Sequence, residues 1–207
     1  MRSSFFVVFL MFLGFSGSFD AVAATDHPWR QRINEDGITV DTRKVDRSSL
    51  LEFKASIRMD VSIEKVVSVL EDPKKMPLWY HQCVYAQVVD EEGPLQKICY
   101  LVLHLPWPVS ERDSVFRLVK EEDSKSGILT YTLNAVTDYL PRKRGKIRVP
   151  YLKAFWRLTP LSDGTTEVFV QQHSDPGGWV PPSLVNKLVV DVPFMSLKNL
   201  RDLVSRE

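Results

Sequence analysis

Apolar and polar residues alternate strictly over positions 51–59, which is the pattern of a strand with one buried face. The apolar positions of this run are Leu51, Phe53, Ala55, Ile57 and Met59. A shorter strand is predicted before it, over 37–45. After Ser62, a suitable N-cap, the spacing becomes that of a helix with one apolar face, which ends near Asp72-Pro73. The apolar residues of this helix are Ile63, Val66, Val67 and Leu70.

Six strand-like runs follow this helix, and turn signals such as Glu92-Gly93-Pro94 and Asp163-Gly164 separate several of them. Their approximate bounds are 84–90, 95–105, 112–120, 127–137, 146–159 and 165–174. Because the connections between consecutive strands are short, antiparallel pairing is the expected topology. A series of strands that ends in a long helix is typical of an α+β fold, in which a curved sheet packs against that helix.

The last segment of the chain is predicted to be this helix, beginning at Ser183. Gly177 and Gly178 suit a tight reversal before it, and Pro181-Pro182 is acceptable in a first helical turn. Pro193 interrupts the helix, and it either localises a bend or starts a second helical segment without a moving part. The wide apolar stripe of the helix consists of Leu184, Val185, Leu188, Val189, Val192, Met195, Leu200, Leu203 and Val204.

The run 98–105 is apolar at nearly every position, so both of its faces are expected to avoid water. This is unusual for a strand of an antiparallel sheet whose outer face is solvated. Either another layer covers the outer face, or the sheet curls around an apolar interior. The second alternative places the terminal helix across the opening of that interior.

The first 24 residues of the 207-residue chain have the pattern of a secretory signal. Arg2 precedes an apolar run at 5–15, and Ala21-Val22-Ala23 supplies small residues for cleavage. The alternative is an uncleaved anchor, although the run is short for a membrane span. We therefore expect a signal peptide at 1–24 and one mature domain at 25–207, located in the periplasm or secreted.

Net charge gives no indication of nucleic-acid binding, because the chain carries a formal charge of only +1. The chain has two cysteines, Cys83 and Cys99, which flank a turn and could lie opposite each other in a hairpin. Export permits a disulfide, but directly opposed ladder positions fit disulfide geometry poorly. A disulfide and two reduced, buried thiols are therefore both consistent with the sequence.

Four short motifs occur in a characteristic order along the chain. They are PWPVSERD at 106–113, GKIR at 145–148, FWRLTP at 155–160 and DPGG at 175–178. In sequence and spacing they resemble elements of StAR-related lipid-transfer (START) domains, and the resemblance covers nearly all of the mature chain, from Trp29 to about Val204. It implies an α+β helix-grip fold, in which a curved antiparallel sheet wraps around the long C-terminal helix and encloses an internal hydrophobic cavity.

The resemblance implies a carrier that binds a lipid or another hydrophobic small molecule without a cofactor or catalysis. Burial contributes roughly 0.8 kcal/mol per CH₂, so an acyl chain or fused-ring skeleton binds without a charge pair. Helix residues are expected to form the lid of the cavity. The candidate lid residues are Leu188, Val189, Val192 and Met195.

Further candidates for the wall are Trp79 and Trp156, which either line the cavity or belong to the ordinary core. His104 is the polar residue that the apolar strand before Pro106 offers to a ligand. Arg112 and Asp113 either offer a polar anchor to a ligand head group, with one side chain facing inward, or form a structural ion pair that fixes the loop to the sheet. The ion pair is the favoured interpretation. No metal site is predicted from the histidine spacing.

Two other classes of protein compete with the carrier. Helix-grip relatives include polyketide cyclases and aromatases, and the candidate polar residues for such an enzyme here are His104, Arg112 and His173. A domain whose cavity is filled by its own side chains would instead serve interactions. Arg142, Lys143 and Arg144 form part of a basic cluster that, together with Trp179, either touches a membrane transiently or is simply solvated. The mature protein is expected to be a monomer.

Overall fold

The computed structural model describes residues 27–206, and the predicted signal segment 1–24 lies outside the described residues. The first half of the described chain contains the strands β1 (Arg30–Glu35), β2 (Ile38–Arg43) and β3 (Glu52–Met59), the helices α1 (Ile63–Leu70) and α2 (Met76–Trp79), and the strands β4 (Cys83–Glu91) and β5 (Gln96–Leu103). The second half contains the strands β6 (Glu111–Glu122), β7 (Leu129–Ala135), β8 (Lys146–Arg148), β9 (Tyr151–Pro160) and β10 (Thr166–Asp175), followed by the helix α3 (Pro182–Val204).

The strands form one 10-stranded sheet in the order β1-β2-β3-β10-β9-β7-β6-β5-β4, and β8 pairs with β6. All pairs along this order are antiparallel, whereas β8 runs parallel to β6. The α+β fold with a terminal helix on an antiparallel sheet is confirmed. Strand alternation turns one face of β2, β3, β9 and β10 toward α3, and this face carries the main core.

The boundaries depart from the prediction where a turn or a proline breaks the pattern. The predicted strand 146–159 is two strands, because Pro150 has no N–H to continue a ladder, and β8 therefore pairs with β6 instead of β7. A hairpin joins β1 to β2 through Asp36-Gly37, whose positive φ angles of 53° and 73° suit a tight two-residue turn. Neither β1 nor the short helix α2 was predicted, since β1 is largely exposed and lacks an apolar face.

Both faces of β5 are covered, so the two explanations offered for its apolar sequence apply together. Cys99, Leu101 and Leu103 face the interior of the curved sheet. On the outer face, Ile98, Tyr100 and Val102 pack with Val115 under Val136 and Leu140, in the segment between β7 and β8. This segment, residues 136–145, forms the outer layer that the alternation pattern could not locate.

Asp113 pairs with Arg148 and not with Arg112, so the ion pair expected between Arg112 and Asp113 is wrong. Neighbouring residues of a strand face opposite sides of the sheet. The Arg148 Nε–Asp113 Oδ1 distance is 2.9 Å, and each side chain is 1% exposed. Arg148 Nη1 also donates to the carbonyls of Thr137 at 2.7 Å and Leu140 at 3.1 Å. The buried pair therefore fastens the outer layer to the sheet.

The two cysteines are free. Cys83 pairs with Leu103 across the β4–β5 ladder, and Cys99 pairs with Val88. Cys99 and Leu103 are four residues apart on β5, a separation of roughly 13 Å along a strand, whereas a disulfide needs Cα atoms within about 7 Å. Burial raises the pKa of each thiol to about 11.

Replacing Asp113 by asparagine should destabilise the protein strongly, because Arg148 then keeps a buried charge without a carboxylate partner. The expected loss in the free energy of unfolding is roughly 3–5 kcal/mol. Urea unfolding of Asp113→Asn measures it. The matched control is Glu111→Gln on the same strand, where Glu111 pairs with Lys146 at the surface and the expected loss is about 0–1 kcal/mol. Equal losses in both variants would contradict the fastening role of the buried pair.

Candidate functional site

Three adjoining chambers lie between the concave face of the sheet and the helices. The helix chamber, of about 130 Å³, lies under the first half of α3. The central chamber, of about 80 Å³, shares Tyr80, Leu103, Val149, Gln172 and Ser174 with it. The hairpin chamber, of about 200 Å³, lies toward the β4–β5 turn and shares Met76, Trp79, Phe116, Leu133 and Trp156 with the central chamber. Because neighbouring chambers share wall residues, we refer to the three together as the segmented cavity. Their summed volume lies within the roughly 300–1,000 Å³ of ligand sites.

Helix α3 has two different environments along its length. Its first half roofs the helix chamber with Leu188, Val189 and Val192, all partly exposed. Its second half is fixed in the main core by Leu197 and Leu200, which have no exposed surface. The change occurs at Pro193, yet α3 is one continuous helix and no separate segment starts there. Met195 comes after Pro193 and packs against the main core, outside the walls of the three chambers.

Trp79 and Trp156 lie between the central and hairpin chambers. Their ring centroids are 5.7 Å apart in an edge-to-face arrangement. Tyr80 contacts Trp79 in the same manner, with 5.6 Å between centroids. Both tryptophans also belong to the main core, so the two interpretations of these aromatic residues are compatible. Their role in ligand binding remains a prediction.

Arg112 lines the helix chamber but directs its guanidinium at backbone carbonyls. Nη1 donates to Ser110 O at 2.6 Å, Nη2 to Gly177 O at 2.8 Å, and Nε to Pro176 O at 3.2 Å. A longer bond of 3.4 Å runs from Nη2 to Trp179 O. Arg112 therefore holds the turn before α3 and the loop before β6 together, with carbonyl oxygens as partners in place of the expected carboxylate. Burial lowers the pKa of Arg112 below its ordinary value.

The same turn explains the two glycines. Gly177 and Gly178 have φ angles of 66° and 60°. A Cβ on Gly177 would lie 2.9 Å from Pro150 Cδ, and one on Gly178 would lie 2.8 Å from Ile147 Cδ1. Glycine is thus required both by the backbone conformation and by the close approach of the turn to the β8–β9 segment.

His104 does not line the cavity. It follows the last residue of β5, at a position that alternation turns away from the face of Cys99, Leu101 and Leu103. The side chain is 65% exposed, and Nδ1 lies 3.6 Å from Glu111 Oε1. His173 also lies outside the three chambers, where its ring packs on Tyr151 and Nε2 is 3.2 Å from Ser48 Oγ. The residues considered for an enzyme therefore do not converge.

A polar cluster at the hairpin chamber was not predicted. Glu71 Oε1 lies 2.7 Å from Lys120 Nζ and accepts a 2.7 Å hydrogen bond from the Tyr131 hydroxyl. Burial acts to raise the pKa of Glu71, but the bonds from Lys120 and Tyr131 outweigh it and lower that pKa below its ordinary value. Burial and the Glu71 carboxylate together raise the pKa of Tyr131. The cluster is ionised and internally neutral.

Several other wall residues escaped the sequence analysis, chiefly Met76, Tyr80, Phe116, Leu133 and Gln172. Alternation along β6 could have found Phe116, because it is four residues from Arg112 and faces the same side. Met76 had no such signal, since α2 is too short for a helical period. Tyr80 lies just after α2, next to the candidate wall residue Trp79. Within residues 27–206, no helix is long and apolar enough to cross a membrane, and no group of three or more potential metal ligands is present.

Comparison with known proteins identifies the class. The family model for the START domain matches residues 17–206, and the chain belongs to this family. It is 32% identical to the uncharacterized protein PA1579 of Pseudomonas aeruginosa, over 84% of this chain and 85% of that protein. It is 28% identical to the phosphatidylcholine transfer protein of Rattus norvegicus, over 79% and 78% respectively. The crystal structure of a STAR-related lipid transfer protein from Xanthomonas axonopodis (36% identical) covers 86% of this chain and 98% of its own, with a TM-score of 0.78.

Replacing Arg112 by lysine should loosen the turn before α3, because an ammonium group cannot reach the same set of carbonyls. Amide exchange in 175–181 should accelerate, and the free energy of unfolding should fall by roughly 2–4 kcal/mol. Arg117→Lys is the control, since Arg117 lies on the same strand in a surface pair with Glu92. Unchanged exchange in the Arg112 variant would show that the turn does not depend on the guanidinium.

Proposed function

We propose that this protein binds one lipid or similar hydrophobic molecule in the segmented cavity and transfers it without catalysing a reaction. The observation that carries the proposal is a set of three adjoining, mainly apolar chambers, of which the helix chamber lies under the partly exposed half of α3. Membership of the START family supports it, as do the names of two relatives, a phosphatidylcholine transfer protein and a STAR-related lipid transfer protein. Apolar burial supplies the affinity, at roughly 0.8 kcal/mol per CH₂.

The arrangement of polar residues favours binding over catalysis. His104 and His173 are directed away from the chambers. Arg112 is engaged by backbone carbonyls, and Glu71 is neutralised by Lys120. A cyclase needs polar groups that converge on one substrate position and are available to it, whereas the cluster of Glu71, Lys120 and Tyr131 in the described walls is bonded within itself.

Shortening the roof of the helix chamber should weaken ligand uptake more than it weakens the fold. Leu188→Ala and Val192→Ala each remove apolar surface that faces the ligand. We expect roughly tenfold weaker uptake of a fluorescent fatty acid or sterol for Leu188→Ala, with a smaller effect for Val192→Ala. Melting temperature should fall only slightly in both. Fluorescence titration and thermal unfolding measure the two effects.

The matched control uses the same substitution in the second half of the helix. Leu200 has no exposed surface and lies in the main core, so Leu200→Ala should cost roughly 2–5 kcal/mol of stability and leave affinity unchanged in the folded fraction. Lys187→Ala on the exposed face should change neither quantity. Normal uptake by both roof variants would remove α3 from the binding site.

The proposal includes transient contact with a membrane at the end of the molecule where α3 begins. Trp179 is 71% exposed and Trp107 is 92% exposed. Their loops meet at Arg112, which bonds the carbonyls of Trp179 and Ser110. The basic loop containing Arg142 and Arg144 leads into β8, beside the start of β6. Exposed indoles and basic side chains at one end suit an anionic lipid surface.

Vesicle sedimentation tests this contact. Wild-type protein should bind vesicles of an anionic lipid at low salt and dissociate at high salt. Trp179→Ala and the double variant Arg142→Gln/Arg144→Gln should each bind several-fold more weakly, at about 1 kcal/mol per basic residue. Leu78→Ala, an exposed apolar residue on α2, is the control. Absence of wild-type binding at low salt would rule the contact out.

Export and a monomeric state complete the proposal. The basic residue Arg2, the apolar run 5–15 and the small residues 21–23 support removal of a signal peptide at 1–24. The mature domain, 25–207, would then act in the periplasm or outside the cell as a single-domain carrier. A monomer suits a carrier whose cavity is built entirely from the elements of one chain.

A further inference from the structure

Two buried polar atoms of the central chamber have no hydrogen-bond partner in the protein. They are Trp79 Nε1, a donor, and Ser114 Oγ, which can donate or accept. The two residues are 2% and 3% exposed. Both belong to the wall of the central chamber, and alternation along β6 turns Ser114 to the same side as Phe116. A buried polar group without a partner is costly, so each of these two atoms can gain from a bond to a ligand atom in the chamber.

The remaining polar side chains of the central chamber are already bonded. Gln172 Nε2 donates to Ser174 Oγ at 3.2 Å, and Gln172 also bonds the Tyr80 hydroxyl. Burial raises the pKa of Tyr80 to about 12, so its hydroxyl is neutral at physiological pH. The third unpartnered atom, the Tyr100 hydroxyl, lies by the Asp113 carboxylate on the outer face of the sheet. Ser114 and Trp79 therefore stand out among the described residues as free partners for a ligand.

Charge in the cavity is confined to its two ends. The wall of the central chamber contains no charged residue among those described. Arg112 in the helix chamber bonds backbone carbonyls, and Glu71 and Lys120 in the hairpin chamber bond each other. The wall of the hairpin chamber also carries Lys97, which pairs with Glu91, and Glu122. A carboxylate or phosphate placed in the centre would lose its hydration without gaining a cation, which is strongly unfavourable.

Apolar space lies on both sides of this neutral polar position. On one side, Leu118 and Leu133 line the hairpin chamber, and on the other side, Phe53 and Leu188 line the helix chamber. A ligand that fills the cavity therefore places a middle portion, not a terminal group, beside Ser114 and Trp79.

We infer that the cavity selects a ligand in which an uncharged oxygen function, an ester or a hydroxyl group, lies between two apolar segments. Trp79 Nε1 and Ser114 Oγ donate to that oxygen. The inference rests on the proposed carrier function and names the chemical class of its ligand. It excludes a free carboxylate or phosphate from the central chamber.

Three probes of sixteen carbons test the inference by displacement of bound diphenylhexatriene. Decyl hexanoate carries an internal ester, hexadecane has no oxygen, and hexadecanoate has a terminal charge. Ser114→Ala should weaken the binding of decyl hexanoate about fivefold, because a neutral hydrogen bond contributes modestly to net affinity. The affinities for hexadecane and hexadecanoate should not change. Trp79→Phe should act in the same direction on the ester.

Ser110→Ala is the matched control, since Ser110 precedes β6 and its exposed side chain lies outside the chamber walls. A second readout separates binding from folding. Ser114→Ala removes an unpartnered buried hydroxyl, so the ligand-free variant should melt at or above the wild-type temperature. Weaker ester binding in a protein of undiminished stability supports the inference.

The remaining outcomes contradict it in distinguishable ways. Displacement by all three probes with no loss in Ser114→Ala would overturn the inference and leave the carrier function intact. Weaker binding of hexadecanoate by Ser114→Ala would place a charged group at Ser114 and would equally overturn the inference. Failure of every probe to displace the dye from wild-type protein would contradict the proposed function itself, and the inference with it.

Discussion

Two adjacent residues at the start of β6, Arg112 and Asp113, face opposite sides of the strand. Each of them therefore holds a different part of the structure against the sheet. On the inner side, the Arg112 guanidinium bonds the carbonyls of Ser110, Pro176 and Gly177 and so sets where α3 begins. On the outer side, Asp113 holds Arg148, which holds the segment between β7 and β8. The roof of the helix chamber and the outer layer that shields β5 from water therefore both depend on this pair of neighbouring residues.

Helix α3 lies over a chamber along part of its length, and over that part it cannot be held by close packing against the sheet. The protein divides these requirements along α3: Leu197, Leu200 and Val204 are fully buried beyond Pro193, whereas the residues before it face the helix chamber. Pro193 removes the N–H that would bond the Val189 carbonyl, so the backbone is weakest where packing changes. The second half of the helix therefore supplies packing against the core, and the first half supplies the residues that line the helix chamber.

Local periodicity was sufficient for the fold and for part of the site. Alternation located β3, strand-like runs between turn signals located β4 to β7 and β10, and one further run covered β8 and β9 together. Helical spacing located α3 and its roof residues Leu188, Val189 and Val192. It could not supply long-range partners. The Arg112–Asp113 pair failed because neighbouring side chains on a strand diverge, and the actual partner, Arg148, is far along the chain. His104 failed because alternation turns it away from the face that carries Leu101 and Leu103. Met76 belongs to a helix too short to have a period, and Tyr80 lies just after that helix.

The way in which the roof is anchored bears on how the cavity can open. Arg112 is a buried cation whose partners are carbonyl oxygens, not a carboxylate. If the turn at 176–179 moves away, water can replace those carbonyls at an exposed guanidinium, and no buried counter-charge is left behind. Breaking the Asp113–Arg148 pair would leave two uncompensated charges, which is far more costly. The two fastenings thus differ in kind: the outer layer is held by an ion pair that resists release, and the roof is held by hydrogen bonds for which water is an adequate substitute.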